Sequence, residues 1–276
     1  MNTSNSEKQT DGNKTILEKY ELIFYFILTF LITWSFNFIG IINIEIYYPF
    51  LVLGAFGPFL SALAIIYTKE GIIGVKEFLN KFKQARGTIW FLISVLTYII
   101  ILSIVLWITT LLGAIPINPY QNMPLFSIIM EFLIILIVTT FLTGGNEEPG
   151  WRGYALPKLL EKFKPVWAGL ILGFIWGFWH IPSTFLPTLQ QLIPFPLYLM
   201  HVILMSMIFT WLYLRTKGSL LFAILYHGLL NGFLGISLMF IDMTLEQFLM
   251  AIFIYVLLEA IFVVLLLILD RDKFFN

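Results

Sequence analysis

Cysteine is absent from all 276 residues. That single absence excludes disulfide frameworks, thiol nucleophiles, Cys-ligated zinc and iron–sulfur clusters together. Charge is nearly as scarce: 12% of residues are charged, against roughly a quarter in a soluble domain. The 16 basic residues are cancelled by 16 acidic ones, so no field of either sign recruits nucleic acid, and no nucleic-acid partner is expected. Also missing are a G-x-S-x-G elbow, an H-E-x-x-H pair and a phosphate-cradling Gly-rich loop, the usual sequence carriers of serine-hydrolase, zincin and nucleotide chemistry. The first 19 residues, MNTSNSEKQTDGNKTILEK, lack the apolar stretch and the small-residue cleavage site of a secretory signal. They read as a disordered cytoplasmic tail.

What is present is hydrophobic: 59% of the chain is apolar and 17% aromatic. Crossing about 30 Å of hydrocarbon takes about 20 mostly apolar residues. The chain offers such runs near residues 20–44, 48–68, 88–115, 124–145, 166–187, 192–214, 219–240 and 246–269. They lack the alternation of a barrel strand and predict an all-α polytopic membrane bundle of eight transmembrane helices. The basic residues test that reading independently, because Lys and Arg collect in cytoplasmic loops. All 16 fall in the N-terminal tail, the second, fourth and sixth connections and the C-terminus, and the odd-numbered connections have none. The alternation predicts a multi-pass protein of the cell membrane with both termini cytoplasmic. Two basic connections, residues 71–87 and 153–164, mix Ile, Phe and Leu with Lys and suit short helices lying in the headgroup region. No repeat, low-complexity tract or soluble domain interrupts residues 20–276, which read as one domain.

Ionisable groups inside apolar spans are costly and by default mark function. They are Glu131, Glu147, Glu148, His180, His201, His227 and Glu259. His201 begins its span beside an uncharged connection and reads as an interfacial ring. Glu131 and Glu259 stand without a nearby His or Arg in sequence and read as structurally paired or protonated. The other four carry spacing. In TGGNEEPGWRG, residues 143–153, Glu148 and Arg152 are i and i+4 neighbours on any helix that continues, which turns Glu147 about 100° toward a different face. Pro149 fits only near the start of a new helical segment, and Gly144-Gly145-Asn146 supplies a place for the break. GFIWGFWHIPS places His180 inside the fifth span, and YHGLLNG places His227 and Asn231 one turn apart on one side of the seventh.

At 1.5 Å per residue His227 lies roughly 12 Å from the cytoplasmic end of its span and His180 roughly 20 Å. The fourth connection must therefore dip into the bilayer for Glu147 to meet them, at a cavity expected to open toward the cytoplasm. Two imidazoles and a carboxylate, His180, His227 and Glu147, are a composition able to hold zinc with an open position, or to activate water without metal. In the metal-free form Glu147 takes the proton of a water that attacks a peptide carbonyl, while imidazole and the Asn231 amide stabilise the oxyanion. Arg152 then holds Glu148 rather than the base. Hydrolysis is the reaction class these residues suit.

At these positions the sequence resembles the CPBP family, the CAAX protease and bacteriocin-processing group also called Abi. Glu147-Glu148 with Arg152 is similar to the family's EExxxR motif, His180 matches the histidine of FxxxH, and His227 with Asn231 matches HxxxN/D. The resemblance covers roughly residues 120–240. It departs from the pattern at Trp176, which stands where FxxxH has phenylalanine and should pack similarly. The resemblance implies an eight-helix intramembrane glutamate-type endopeptidase acting on a membrane-associated peptide or protein, with Glu147 as base and His180, His227 and Asn231 around the water or oxyanion; it leaves open whether a divalent metal such as zinc is required. It does not name the substrate. The Ile, Phe, Leu, Lys and Asn bias suits an AT-rich genome, in which prenylated CAAX substrates are not expected. Two other readings use the same residues: a non-catalytic binding or bacteriocin-immunity module of this fold, and a transporter with a proton relay, for which paired interrupted segments are lacking.

Overall fold

A computed structural model describes residues 16–275. Residues 1–15 of the expected tail lie outside the described residues, and its last four form the helical turn Ile16–Lys19. Among the described residues eight helices are long and apolar enough to cross a membrane: Glu21–Ile42, Ile44–Lys83, Thr88–Leu111, Leu125–Leu160, Pro165–Phe185, Phe195–Arg215, Leu220–Leu238 and Leu245–Leu269. Six match the expected spans within a few residues. The second and fourth are much longer, because each carries its short basic segment as a continuation.

The second span is two helices, Tyr47–Ala55 and Gly57–Asn80, the latter broken at Gly71 with φ 64°. Beyond the break the helix continues with Ile72 and Ile73 exposed and Phe78 buried. The segment expected at 153–164 behaves differently. It is reached through a 3₁₀ turn (Gly145–Glu147), a short helix (Glu148–Gly150), a π-helical turn (Trp151–Ala155) and the helix Leu156–Leu160. Ala155 and Leu156 are fully buried, and exposure resumes only at Glu161. Its first half is core, because its apolar side chains pack into the bundle instead of facing headgroups.

The basic side of the bundle is laced by ion pairs. Glu21 accepts from Lys158 at 2.8 Å and from Lys69, joining the first, second and fourth spans. Asp270 accepts from Arg215 and, at 2.6 Å, from the Trp211 indole, and the Arg215 guanidinium lies 4.1 Å from the Trp90 ring centroid. On the opposite side Ile115–Pro116 and Ile241–Asp242 form a two-stranded antiparallel ribbon tying the third connection to the seventh. The fifth and sixth spans approach closest along Gly169, Gly173 and Gly177. A Cβ at Gly173 would sit 2.8 Å from the Ile203 Cα, so only a stripe of small residues lets these backbones meet.

Candidate active site

The fourth span loses its helix after Phe141 and regains it at Gly145. Asn231 closes that gap by donating from Nδ2 to the Thr143 carbonyl at 2.8 Å, and the Gly144 N–H donates to Asn146 Oδ1 at 2.9 Å. Gly144 must be glycine, since a Cβ there would lie 2.5 Å from Asn231 Nδ2. The break turns the chain inward, and Pro149 falls in the first turn of the new helical segment, where its missing N–H costs nothing. This is the dip that the depth estimate demanded.

The two adjacent carboxylates then face different partners. Glu148 is fully buried, and its Oε1 accepts from Arg152 Nη1 at 3.1 Å and from His227 Nδ1 at 2.8 Å. The Arg152 guanidinium is also fully buried, 4.4 Å from the Trp176 ring centroid and 4.3 Å from that of Phe209, positions that suit a cation on aromatic faces. Glu147 points elsewhere and lines a cavity of about 150 Å³. Its Oε2 accepts from the indole N–H of Trp176 at 2.9 Å and of Trp151 at 3.3 Å. Arg152 thus holds Glu148 and leaves Glu147 to the cavity, as the i, i+4 spacing predicts.

Both site histidines are oriented through Nδ1. His180 caps the fifth-span helix and donates to the Trp176 carbonyl at 2.8 Å, and His227 donates to Glu148. In each ring Nε2 is the nitrogen left for the cavity that both line. Trp176 sits among them, its ring centroid 5.8 Å from His180 and 5.4 Å from His227 while its indole holds Glu147. The fourth, fifth and seventh spans therefore adjoin around one polar cavity. A metal held by His180, His227 and Glu147 is not what this arrangement presents. Among the described residues no three His, Asp or Glu side chains converge as a ligand set.

Three features went beyond the sequence expectations. Trp176 does more than pack like phenylalanine, because its N–H holds the carboxylate. His201 and Glu259, read as separate groups, pair at 2.7 Å, and His201 lines the same cavity. The first span contributes Thr33 and Asn37 to the wall. Their spacing with Tyr25 and Thr29, four buried residues at i, i+4, was the available signal. One expectation is corrected. The cavity does not extend toward the basic connections: its lining continues through Leu51, Ser183 and Gln190, beside the first and fifth connections, which carry no basic residue. Depth counted along the seventh span from its basic end fixes the level of His227, not the direction in which the cavity walls rise.

Residues 129–233 match the family described as type II CAAX prenyl endopeptidase Rce1-like. The chain is also 28% identical over 230 residues to CAAX prenyl protease 2 of Methanococcus maripaludis, covering 77% of this chain and 83% of that protein. The matched region contains all three motifs and every residue described around the carboxylates.

Proposed function

Since the chain belongs to the CPBP family of CAAX-type proteases, we propose that it is an intramembrane endopeptidase in which Glu147 activates water against a peptide bond of a membrane-associated substrate. The observation that carries this reading is the division of labour between adjacent carboxylates. Glu148 is held by a guanidinium and an imidazole, whereas Glu147 receives only two indole N–H groups and faces the cavity. A base needs a free lone pair toward water and no cation draining its basicity. Water between Glu147 and the Nε2 of His180 gives up a proton to Glu147 as its oxygen attacks the carbonyl carbon. The second Asn231 amide hydrogen, the first being fixed on Thr143, is available to the oxyanion. His227 Nε2 then relays the proton taken up by Glu147 to the leaving amine as the C–N bond breaks, its ring held by Glu148.

The relative's name, carried over, makes the substrate a chain ending C-a-a-X with a prenylated cysteine. The cavity's reach toward the uncharged connections favours a second source for the same reaction. With the basic loops and both termini cytoplasmic, the walls rise toward the outer leaflet, where an exported, membrane-anchored peptide would enter. Membrane-impermeant labelling of single cysteines decides between them. A cysteine at Asn118 labels in intact cells, and cysteines at Lys81, Lys162, Arg215 and Lys273 do not. Strong labelling at Lys162 overturns the orientation. A non-catalytic binding or immunity module is separated from the enzyme by Glu147→Gln, which leaves binding of a partner intact but abolishes proteolysis. Glu131→Gln keeps most activity, and equal loss from both substitutions would mean the base is misassigned.

A further inference from the structure

The His201–Glu259 pair lines the catalytic cavity and takes no part in the mechanism above. Glu259, on the eighth span, is 2% exposed, and its Oε2 lies 2.7 Å from His201 Nδ1. Among the described residues it has no Lys or Arg partner, whereas the buried Glu148 has Arg152. A buried carboxylate is costly without a partner, and among the described residues the His201 imidazole is the group placed against it. With Nδ1 turned to Glu259 and the ring 28% exposed, Nε2 is the nitrogen left for the cavity. Among the described residues no Lys or Arg lines that cavity. His180 spends its Nδ1–H on a backbone carbonyl, and His227 shares Glu148 with an arginine. His201 is therefore the cavity imidazole whose carboxylate partner has no guanidinium, the ring placed to answer an anionic group.

We propose that His201, oriented by Glu259, binds the terminal carboxylate of the peptide segment released by cleavage. The proposal rests on the endopeptidase reading with the scissile bond three residues from the substrate's end. The spacing fits. His180 and His201 are joined through Tyr198 by ring-centroid steps of 5.4 and 6.1 Å, so they are no farther apart than those steps laid end to end. Three extended residues span at most about 11 Å. A terminus three residues beyond a carbonyl attacked beside His180 is thus within reach of His201, and Val202, Met205 and Leu230 give the cavity an apolar wall for the intervening side chains.

The test uses the full-length chain in detergent and a farnesylated peptide ending Cys-Val-Ile-Met, made once with a free C-terminal carboxylate and once as the amide. The wild-type chain is expected to prefer the acid about tenfold or more in kcat/KM, chiefly through KM, the size of one charge-assisted hydrogen bond. In His201→Gln and Glu259→Gln that acid-over-amide ratio falls to about one. Equal cleavage of acid and amide by the wild type overturns the proposal, and so does a variant that retains the wild-type ratio. The wild-type comparison needs no substitution and stands even where Glu259→Gln does not fold. Failure of the underlying reading looks different: neither peptide is cleaved, or cleavage of both persists in Glu147→Gln.

Discussion

The two halves of the fourth span invert the ordinary relation between polarity and burial. From Leu125 to Phe141 the chain is almost wholly apolar, yet Thr140 alone is buried. From Gly144 to Leu156 every residue is buried, including Asn146, Glu147, Glu148 and Arg152. In water such a chain would fold the other way round. In a bilayer, lipid tails are as apolar as leucine and exert no pressure to hide one, while a charged group has to be withdrawn from lipid and matched by protein. Burial here therefore sorts by chemistry. The exposed half anchors, and the buried half holds the reacting groups in one geometry.

The comparison breaks most sharply at Glu147. Glu147→Gln keeps the shape and both indole donors but cannot accept a proton. Cleavage is expected to fall by about 10³-fold or more, the upper range of a general base, with insertion and melting behaviour retained. A residual rate within tenfold of wild type would move the base elsewhere. Arg152→Leu tests matching instead of chemistry. It strands Glu148 fully buried beside one imidazole, and removing one partner of a buried pair costs about 3–5 kcal/mol. Thermal unfolding in detergent should show that loss, with activity following it. A variant as stable as wild type would mean Glu148 is not charged in the folded chain.

Trp176 sharpens the same comparison, because it belongs to the buried set by its ring and to the reacting set by its N–H. Trp176→Phe restores the family's more usual aromatic, keeps the face stacked on Arg152 and deletes the donor to Glu147. One hydrogen bond to a charged group is worth about 1.5–3 kcal/mol, so kcat is expected to drop about tenfold or more with KM little changed. Trp151 offers a second indole at 3.3 Å, and the double substitution Trp151→Phe/Trp176→Phe should lose more than either alone. Unchanged kcat in both would show that the indoles do not position the carboxylate.

How much of this was legible beforehand follows from the same physics. The spans were, because length and hydropathy are local properties and the alternation of basic connections checks their number. Glu147, Glu148, Arg152, His180, His227 and Asn231 were, because each violates the apolar pattern at a spacing with a geometric meaning. The role of Trp176 was not, since an aromatic in an apolar span carries no sign that its N–H has a partner 29 residues away. Nor was the pairing of His201 with Glu259, separated by 58 residues and joined only when the sixth and eighth spans pack. The burial of Trp151–Ala155 was missed because its Lys-rich continuation at residues 158–164 resembles an interfacial helix, and composition cannot say where along such a segment the bundle ends.

The smallest expected effect is the one that tests the inversion itself. Leu156→Ala and Ile134→Ala remove similar apolar groups from the two halves of one span, the first fully buried and the second 55% exposed. Leu156 is enclosed by protein, so its truncation leaves a cavity and should cost about 2–5 kcal/mol, as core truncations do. Ile134 meets lipid or detergent, which closes over the missing methyl groups. Without a lost protein contact the change should stay within about 0.5 kcal/mol, as surface substitutions do, and kcat/KM should move less than twofold. Thermal unfolding of both variants in one detergent measures the difference directly. If Ile134→Ala destabilises as much as Leu156→Ala, the outer half of the fourth span is packed against protein in the working state, and its exposure cannot be read as contact with lipid.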